Sequence, residues 1–199
     1  MKKRFYLVLT IFSLALINVQ AQDGQNSTSG MRFGGKAGIN LATLGGTTSY
    51  SSYSMKPGLH LGAVLEIPFN DEILLQPEFL ISQQGSGGYL NDNLNLWYAS
   101  IPLMGKYNVW DALYVEAGPQ IGVLFAENTN EAYLGENLTV QQNPDFDTNT
   151  LDIGINVGAG YELNENLYFQ ARFNIGFINA IKDVNSKNRV FQISAIYFL

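Results

Sequence analysis

The stretch LDIGINVGAGYELNENLYFQARFNIGFI, residues 151–178, decides the fold. Folded back at Glu165, it sets Leu163 against Leu167, Tyr161 against Phe169, Ala159 against Ala171, Val157 against Phe173, Ile155 against Ile175 and Ile153 against Phe177. Its other face sets Glu162 against Tyr168, Gly160 against Gln170, Gly158 against Arg172 and Asn156 against Asn174. Side chains alternate along a strand, so the stretch predicts an antiparallel hairpin with one uncharged apolar face and one face of polar residues and glycine. An apolar face of that extent needs a cover, of protein or of lipid.

The same alternation recurs on both sides of it. Upstream it predicts strands over Arg32–Leu41, Gly58–Ile67, Ile73–Gln84, Trp97–Val109 and Leu113–Phe125, and downstream over Arg189–Leu199. With the hairpin that makes eight. The connections alternate. Ala42–Lys56, Gly85–Asn95, Ala126–Thr150 and Asn179–Asn188 are long; Pro68–Glu72, Trp110–Ala112 and the turn at Glu165 are short. Long loops at one end and short turns at the other mark an outer-membrane barrel, and strands of about ten residues suit a tilted span. The predicted class is therefore all-β, an eight-stranded antiparallel up-and-down transmembrane β-barrel over residues 32–199. An even strand number puts both termini on the short-turn side, expected to be periplasmic, with the long loops extracellular. Closure removes the unpaired edges that lipid does not tolerate.

Aromatics fall where membrane boundaries are expected. Tyr107, Trp110, Tyr161, Phe169 and Tyr197 gather at the turn end, and Trp97, Phe125 and Phe177 at the loop end. Pro77, Pro102 and Pro119 lie inside strands, where a residue without an N–H predicts bulges or locally wide pairing.

The amino terminus reads as a targeting segment. Lys2, Lys3 and Arg4 precede an apolar run, and Val19-Gln20-Ala21 offers small residues at the cleavage subsites. A signal peptide over residues 1–21 is expected, then a flexible periplasmic lead-in over 22–31. The run is short for a membrane-spanning helix. Cleavage would remove three of the 11 basic residues and none of the 17 acidic ones, leaving 8 against 17, a net charge of −9. That balance carries no footprint for nucleic acid. Cysteine is absent, so disulfides, thiolate metal sites and cysteine nucleophiles are excluded.

The segments GGKAGINLATL, KPGLHLGAVLEIP, LQPEFLISQQG, YASIPLMGKYNV, YVEAGPQIGVLFA, DIGINVGAGYEL, ARFNIGFINAI and NRVFQISAIYFL cover every predicted strand in order. Together they resemble the PorT-like outer-membrane β-barrel proteins of Bacteroidetes. The resemblance implies an outer-membrane location and no particular activity. The member for which that family is named is linked to cargo export by the type IX secretion route. Alternate apolar residues running to the carboxyl terminus suit recognition by barrel-assembly machinery. The expected partners are thus outer-membrane lipid, that machinery during insertion, and an unidentified secretion or surface partner.

Chemistry is sparse. His60 is the sole histidine, with no Ser-His-Asp spacing around it, and reads as a polar lumen residue. The loop Ala126–Thr150 carries Glu127, Glu131, Glu136, Asp145 and Asp147, without the dense alternation of a calcium loop. The glycines of GINVGAG sit inside a strand with no helix after them, unlike a nucleotide fingerprint. No catalytic residue, metal site or cofactor is expected. The inward charges Lys36, Glu66, Glu78, Lys106, Glu116 and Arg172 predict a polar network filling a lumen only wide enough for side chains. A fold at Asp111 sets Lys106 directly opposite Glu116, and an ion pair between them is expected, with Glu78 beside Lys106. The expected role is non-enzymatic: structural, surface-interaction or secretion-accessory, through the extracellular loops. The alternative is a secreted, lipocalin-like carrier of small ligands, which would need an apolar interior and a polar exterior.

Overall fold

The computed structural model describes residues 30–45, 55–87, 93–129, 148–181 and 185–199. Eight strands run in chain order: β1 Arg32–Gly45, β2 Lys56–Pro68, β3 Ile73–Gly87, β4 Asn93–Trp110, β5 Leu113–Thr129, β6 Leu151–Asn164, β7 Leu167–Asn179 and β8 Lys187–Phe198. Each pairs antiparallel with the next, and β1 pairs with β8, so the sheet closes on itself. The fold is an all-antiparallel eight-stranded barrel. The predicted signal segment and most of the acidic loop lie outside the described residues, as does the lead-in apart from Gly30 and Met31.

The strands outrun the predicted ones at the loop end. β4 begins at Asn93 and β5 continues to Thr129, so only residues 88–92 connect β3 to β4 where a loop over Gly85–Asn95 was expected. Hydrogen bonding carries the ladder past the point where the apolar alternation fades, because backbone pairing asks nothing of side-chain polarity.

Short side chains set the tight turns. The Asn70 carboxamide accepts from the backbone N–H groups of Glu72 and Ile73, and Asn164 does the same for Asn166 and Leu167. Asp111 takes φ 46° in the two-residue turn between β4 and β5. The Asn164 turn corrects the first pair of the hairpin. A register shift between Glu162 and Asn164 sets Asn164, not Leu163, against Leu167. From Glu162↔Tyr168 to Gly154↔Gly176 the pairing follows the expected alternation, and Ile153 and Phe177 fall just beyond the ladder.

Of the two outcomes expected at the prolines, bulges or locally wide pairing, the strands show the second: pairing opens locally without a bulge. Pairing lapses between Val64↔Glu78 and Ile67↔Leu75, between Pro77↔Leu103 and Leu80↔Ser100, and between Pro102↔Gln120 and Gly105↔Ala117. The register is the same on both sides of each gap. Each gap omits two residue pairs, one of which contains a proline, and the flanking pairs hold the strands in step. The register shifts of β4 against β5 lie elsewhere, at Trp97/Tyr98 and beside the turn at Asn108/Trp110.

The barrel is inside-out compared with a water-soluble one. Ile39, Leu61, Ile101, Ile121, Val157, Phe173 and Ile193 are exposed on the outer wall, while Lys36, Glu66, Glu78, Lys106, Glu116 and Arg172 are buried within. The aromatics Tyr107, Trp110, Tyr161, Phe169 and Tyr197 stand exposed near the turns, and Phe177 near the loops. The soluble carrier alternative required the reverse arrangement and is set aside.

Candidate functional site

Every inward position faces the lumen, so the site is the lumen itself. Its turn end holds aromatic and aliphatic side chains: Val64, Tyr168, Ile196 and Phe198 pack together, with Tyr114 edge-on to Tyr168 at 6.0 Å. Gly160 makes room for Tyr168, whose ring occupies the place a Cβ would take.

An ionic belt threads through and above this layer. Arg32 bridges Glu66 and Glu162, at 2.5 Å each. Lys106 Nζ bonds the other oxygen of Glu66 at 2.6 Å and lies 3.7 Å from the Tyr168 ring centroid, a cation–π distance. Arg172 Nη2 donates to Glu78 and to Glu116, both at 2.6 Å, and Lys36 Nζ donates to Glu78 at 2.8 Å. Gln76 joins the two halves, accepting from Lys106 at 3.3 Å and donating to Glu78 at 2.6 Å. The six candidate residues therefore lie in one connected set, with Arg32, Gln76 and Glu162 added to it. Four cations meet four carboxylates, and the belt is neutral.

The expected pair within it is not made. Lys106 and Glu116 are register partners across β4 and β5, yet Lys106 bonds Glu66 and Glu116 bonds Arg172. Glu78 pairs with Lys36 and Arg172 rather than Lys106. Long side chains in a narrow lumen reach past the neighbouring strand, so a partner two strands away competes with the one directly opposite.

Above the belt the lumen is neutral and polar. His60 lies between Asn40 and Ser194, with Nδ1 2.7 Å from Asn40 Oδ1 and Nε2 2.8 Å from Ser194 Oγ. The Asn40 Nδ2 group donates to Ser82 and to the carbonyl of Gln83, which leaves Oδ1 facing the imidazole. Nδ1 must then carry the proton, and Nε2 accepts from the serine. Gly38 separates the two residues in the sheet, and a Cβ there would lie 2.6 Å from the imidazole. Sequence reading missed this contact because it spans the seam between β8 and β1, between residues 134 positions apart. The Ser-His-Asn order matches that of a nucleophilic triad, but Ser194 is 3% exposed and walled by Asn40, His60 and Gln192.

Higher still, Asp152, Asn188, Tyr98 and Ser100 come together. Leu44, Leu96, Tyr98, Leu124, Ala180 and Ile181 close over them as an apolar cap at the loop end. Between the described ends the lumen is packed with side chains. Among the described residues no group of three or more His, Cys, Asp or Glu side chains could hold a metal ion.

A closed antiparallel barrel with an apolar outer wall and a charged, filled interior defines a β-barrel of the outer membrane. The chain belongs to the outer membrane protein beta-barrel domain family, whose model matches residues 20–182. Its fold is similar to that of neisserial surface protein A, with a TM-score of 0.56 at 10% identity over 83% of this chain and 96% of that one. The attachment invasion locus protein of Yersinia pestis aligns over 84% of this chain and 98% of its own, at 12% identity and a TM-score of 0.48. No curated protein matches the sequence.

Proposed function

We propose that the protein is a non-enzymatic, non-conducting barrel that holds its long loops at the cell surface, as a structural, surface-interaction or secretion-accessory component. The observation that carries this reading is the filled lumen: aromatic packing at one end, a neutral ionic belt, a polar layer and an apolar cap at the other. Such an interior leaves the loops as the part able to meet a partner. The buried Ser194 hydroxyl supports the non-enzymatic reading, since no substrate carbonyl reaches it without dismantling the wall.

The finer features belong to the same proposal. Residues 1–21 direct export and are removed after Ala21; residues 22–31 form a periplasmic lead-in. Both termini are periplasmic and barrel-assembly machinery inserts the chain. The PorT-like subgroup of Bacteroidetes is supported by the fall of its eight motif segments on the eight strands in order. Outer-membrane lipid covers the apolar wall; no cofactor or nucleic acid is involved.

The test is paired. Purified protein in planar bilayers is expected to give no stable open channel. Deleting residues 130–147 is expected to leave the protein in the outer membrane while altering the set of surface or secreted proteins, as full gene deletion does. A steady conductance overturns the non-conducting reading. An unchanged surface and secreted proteome in the full deletion overturns the partner reading.

A further inference from the structure

We propose that the loop-end half of the lumen holds one monovalent alkali cation, on the carboxylate of Asp152 with oxygens from Asn188 and Ser100. Asp152 is the exception among the buried carboxylates. Glu66, Glu78 and Glu116 each touch at least one lysine or arginine, while Asp152, 2% exposed, touches no cation among the described residues. Its one hydrogen bond comes from Asn188 Nδ2, at 3.2 Å. An ionised carboxylate under an apolar cap is costly unless a counter-charge reaches it.

The neighbours supply what a cation would need. Asn188 is 1% exposed and its Oδ1 has no hydrogen-bond partner; Ser100 is 2% exposed and its Oγ has none either. The sheet aims these groups at each other through two glycines. Gly122 of β5 lies between Ser100 of β4 and Asp152 of β6, and a Cβ there would lie 3.0 Å from Ser100 Oγ and 3.6 Å from Asp152 Cβ. Gly176 of β7 lies between Asp152 and Asn188, with Asp152 Oδ1 3.2 Å from its Cβ position. Rotating the Asn188 carboxamide by half a turn exchanges its nitrogen for its oxygen, leaving two oxygens about 3.2 Å apart. Two ligands of one hard cation, each at about 2.3–2.6 Å, span that separation.

Charge selects the ion. The ionic belt is already balanced, so Asp152 leaves a single negative charge, and a monovalent ion restores neutrality where a divalent one overshoots. Oxygen donors without sulfur or imidazole favour a hard cation over a transition metal. The cap of Leu44, Leu96, Leu124, Ala180 and Ile181 covers the site, so ion exchange awaits its opening.

The full chain folded in detergent micelles is dialysed against radiolabelled sodium, or against rubidium as a potassium surrogate, in a choline chloride background of fixed ionic strength. One ion bound per chain is expected, lost in Asp152→Asn and weakened on the order of tenfold in Ser100→Ala. The urea midpoint of the wild type is expected to rise when sodium or potassium replaces choline, and that of Asp152→Asn to stay put, folded chain being verified by heat-modifiable migration. A wild type that binds neither ion, or an infrared signature of a protonated Asp152 in sodium chloride, overturns the site. Binding that survives Asp152→Asn places the ion elsewhere and overturns it too, and calcium bound in preference to both alkali ions overturns the charge argument.

Discussion

At the residue scale, the ion pairs inside the belt are buried, so removing the sole partner of a charge strands it. Lys106→Met is expected to destabilise in urea unfolding from micelles by less than the about 3–5 kcal/mol of a fully stranded buried charge, because the Tyr168 face loses its cation while Glu66 loses Lys106 and keeps Arg32. A double-mutant cycle separates the two candidate partners. Lys106→Met with Glu66→Gln is expected to show a coupling of roughly 0.5–3 kcal/mol, while Lys106→Met with Glu116→Gln comes close to additive. Equal coupling in both cycles would contradict the observed pairing. Arg172→Met is expected to be more harmful than Lys106→Met, at about 3–5 kcal/mol, since Glu116 then has no ion pair left while Glu78 keeps Lys36. Which residues face inward was legible from alternation alone. Which inward residue bonds which was not. Lys106 lies opposite Glu116 in sequence register, but a lysine stem reaches past the neighbouring strand to Glu66 on β2, and the choice among carboxylates depends on barrel curvature that no pairing rule contains. The His60–Ser194 contact was hidden for a related reason: it exists only because β8 meets β1.

At the scale of the strand, inward glycine is a seat for a neighbour. A Cβ on Gly62 would lie 1.9 Å from the Phe79 carbonyl oxygen, so Gly62→Ala is expected to destabilise by about 1–3 kcal/mol through overpacking. Gly35 points outward with nothing within 4 Å of its Cβ position. Gly35→Ala is expected to fall within about 1 kcal/mol of wild type, on the stabilising side. Comparable losses at the two sites in the same urea titration would count against the inward–outward assignment. The outer wall gives a second contrast. Leu61, exposed at the middle of β2, is expected to cost about 2–4 kcal/mol as Leu61→Arg, and Phe169, beside a turn, about 0–1 kcal/mol as Phe169→Arg. The hairpin of β6 and β7 was readable residue by residue because its turn is short and its apolar face unbroken. Strand ends were less so: β4 gains Asn93–Leu96 from hydrogen bonding, beyond the apolar alternation that marked Trp97 as its start. Proline was half readable: the pairing opens locally at Pro77 and Pro102 as expected, but without the bulge that was the other expected outcome, and the register stays intact.

At the scale of the molecule, an apolar wall and a charged interior are incompatible with free solution. The protein is expected to sediment with the outer membrane and to change its gel mobility on boiling; recovery from the periplasm without detergent would refute the assignment of its two surfaces. Protease added to intact cells is expected to cut within residues 130–147 and to spare the Asp111 turn, and cleavage at that turn would invert the orientation. The architecture was legible because closure follows from strand number and connection length, quantities a sequence carries directly. The last pairing to consider joins Gly34↔Phe198 through Gly45↔Lys187, between segments at opposite ends of the strand order. Every other neighbour in the sheet is also a neighbour in the chain, so seven ladders can form progressively as the polypeptide arrives. The eighth closes a loop of nearly the whole described chain and carries the largest loss of conformational freedom. Until it forms, two long strand edges stay open and adhesive. The seam is therefore a test of completeness: a chain missing residues 187–198 keeps two open edges, on β1 and β7, that the finished barrel does not have.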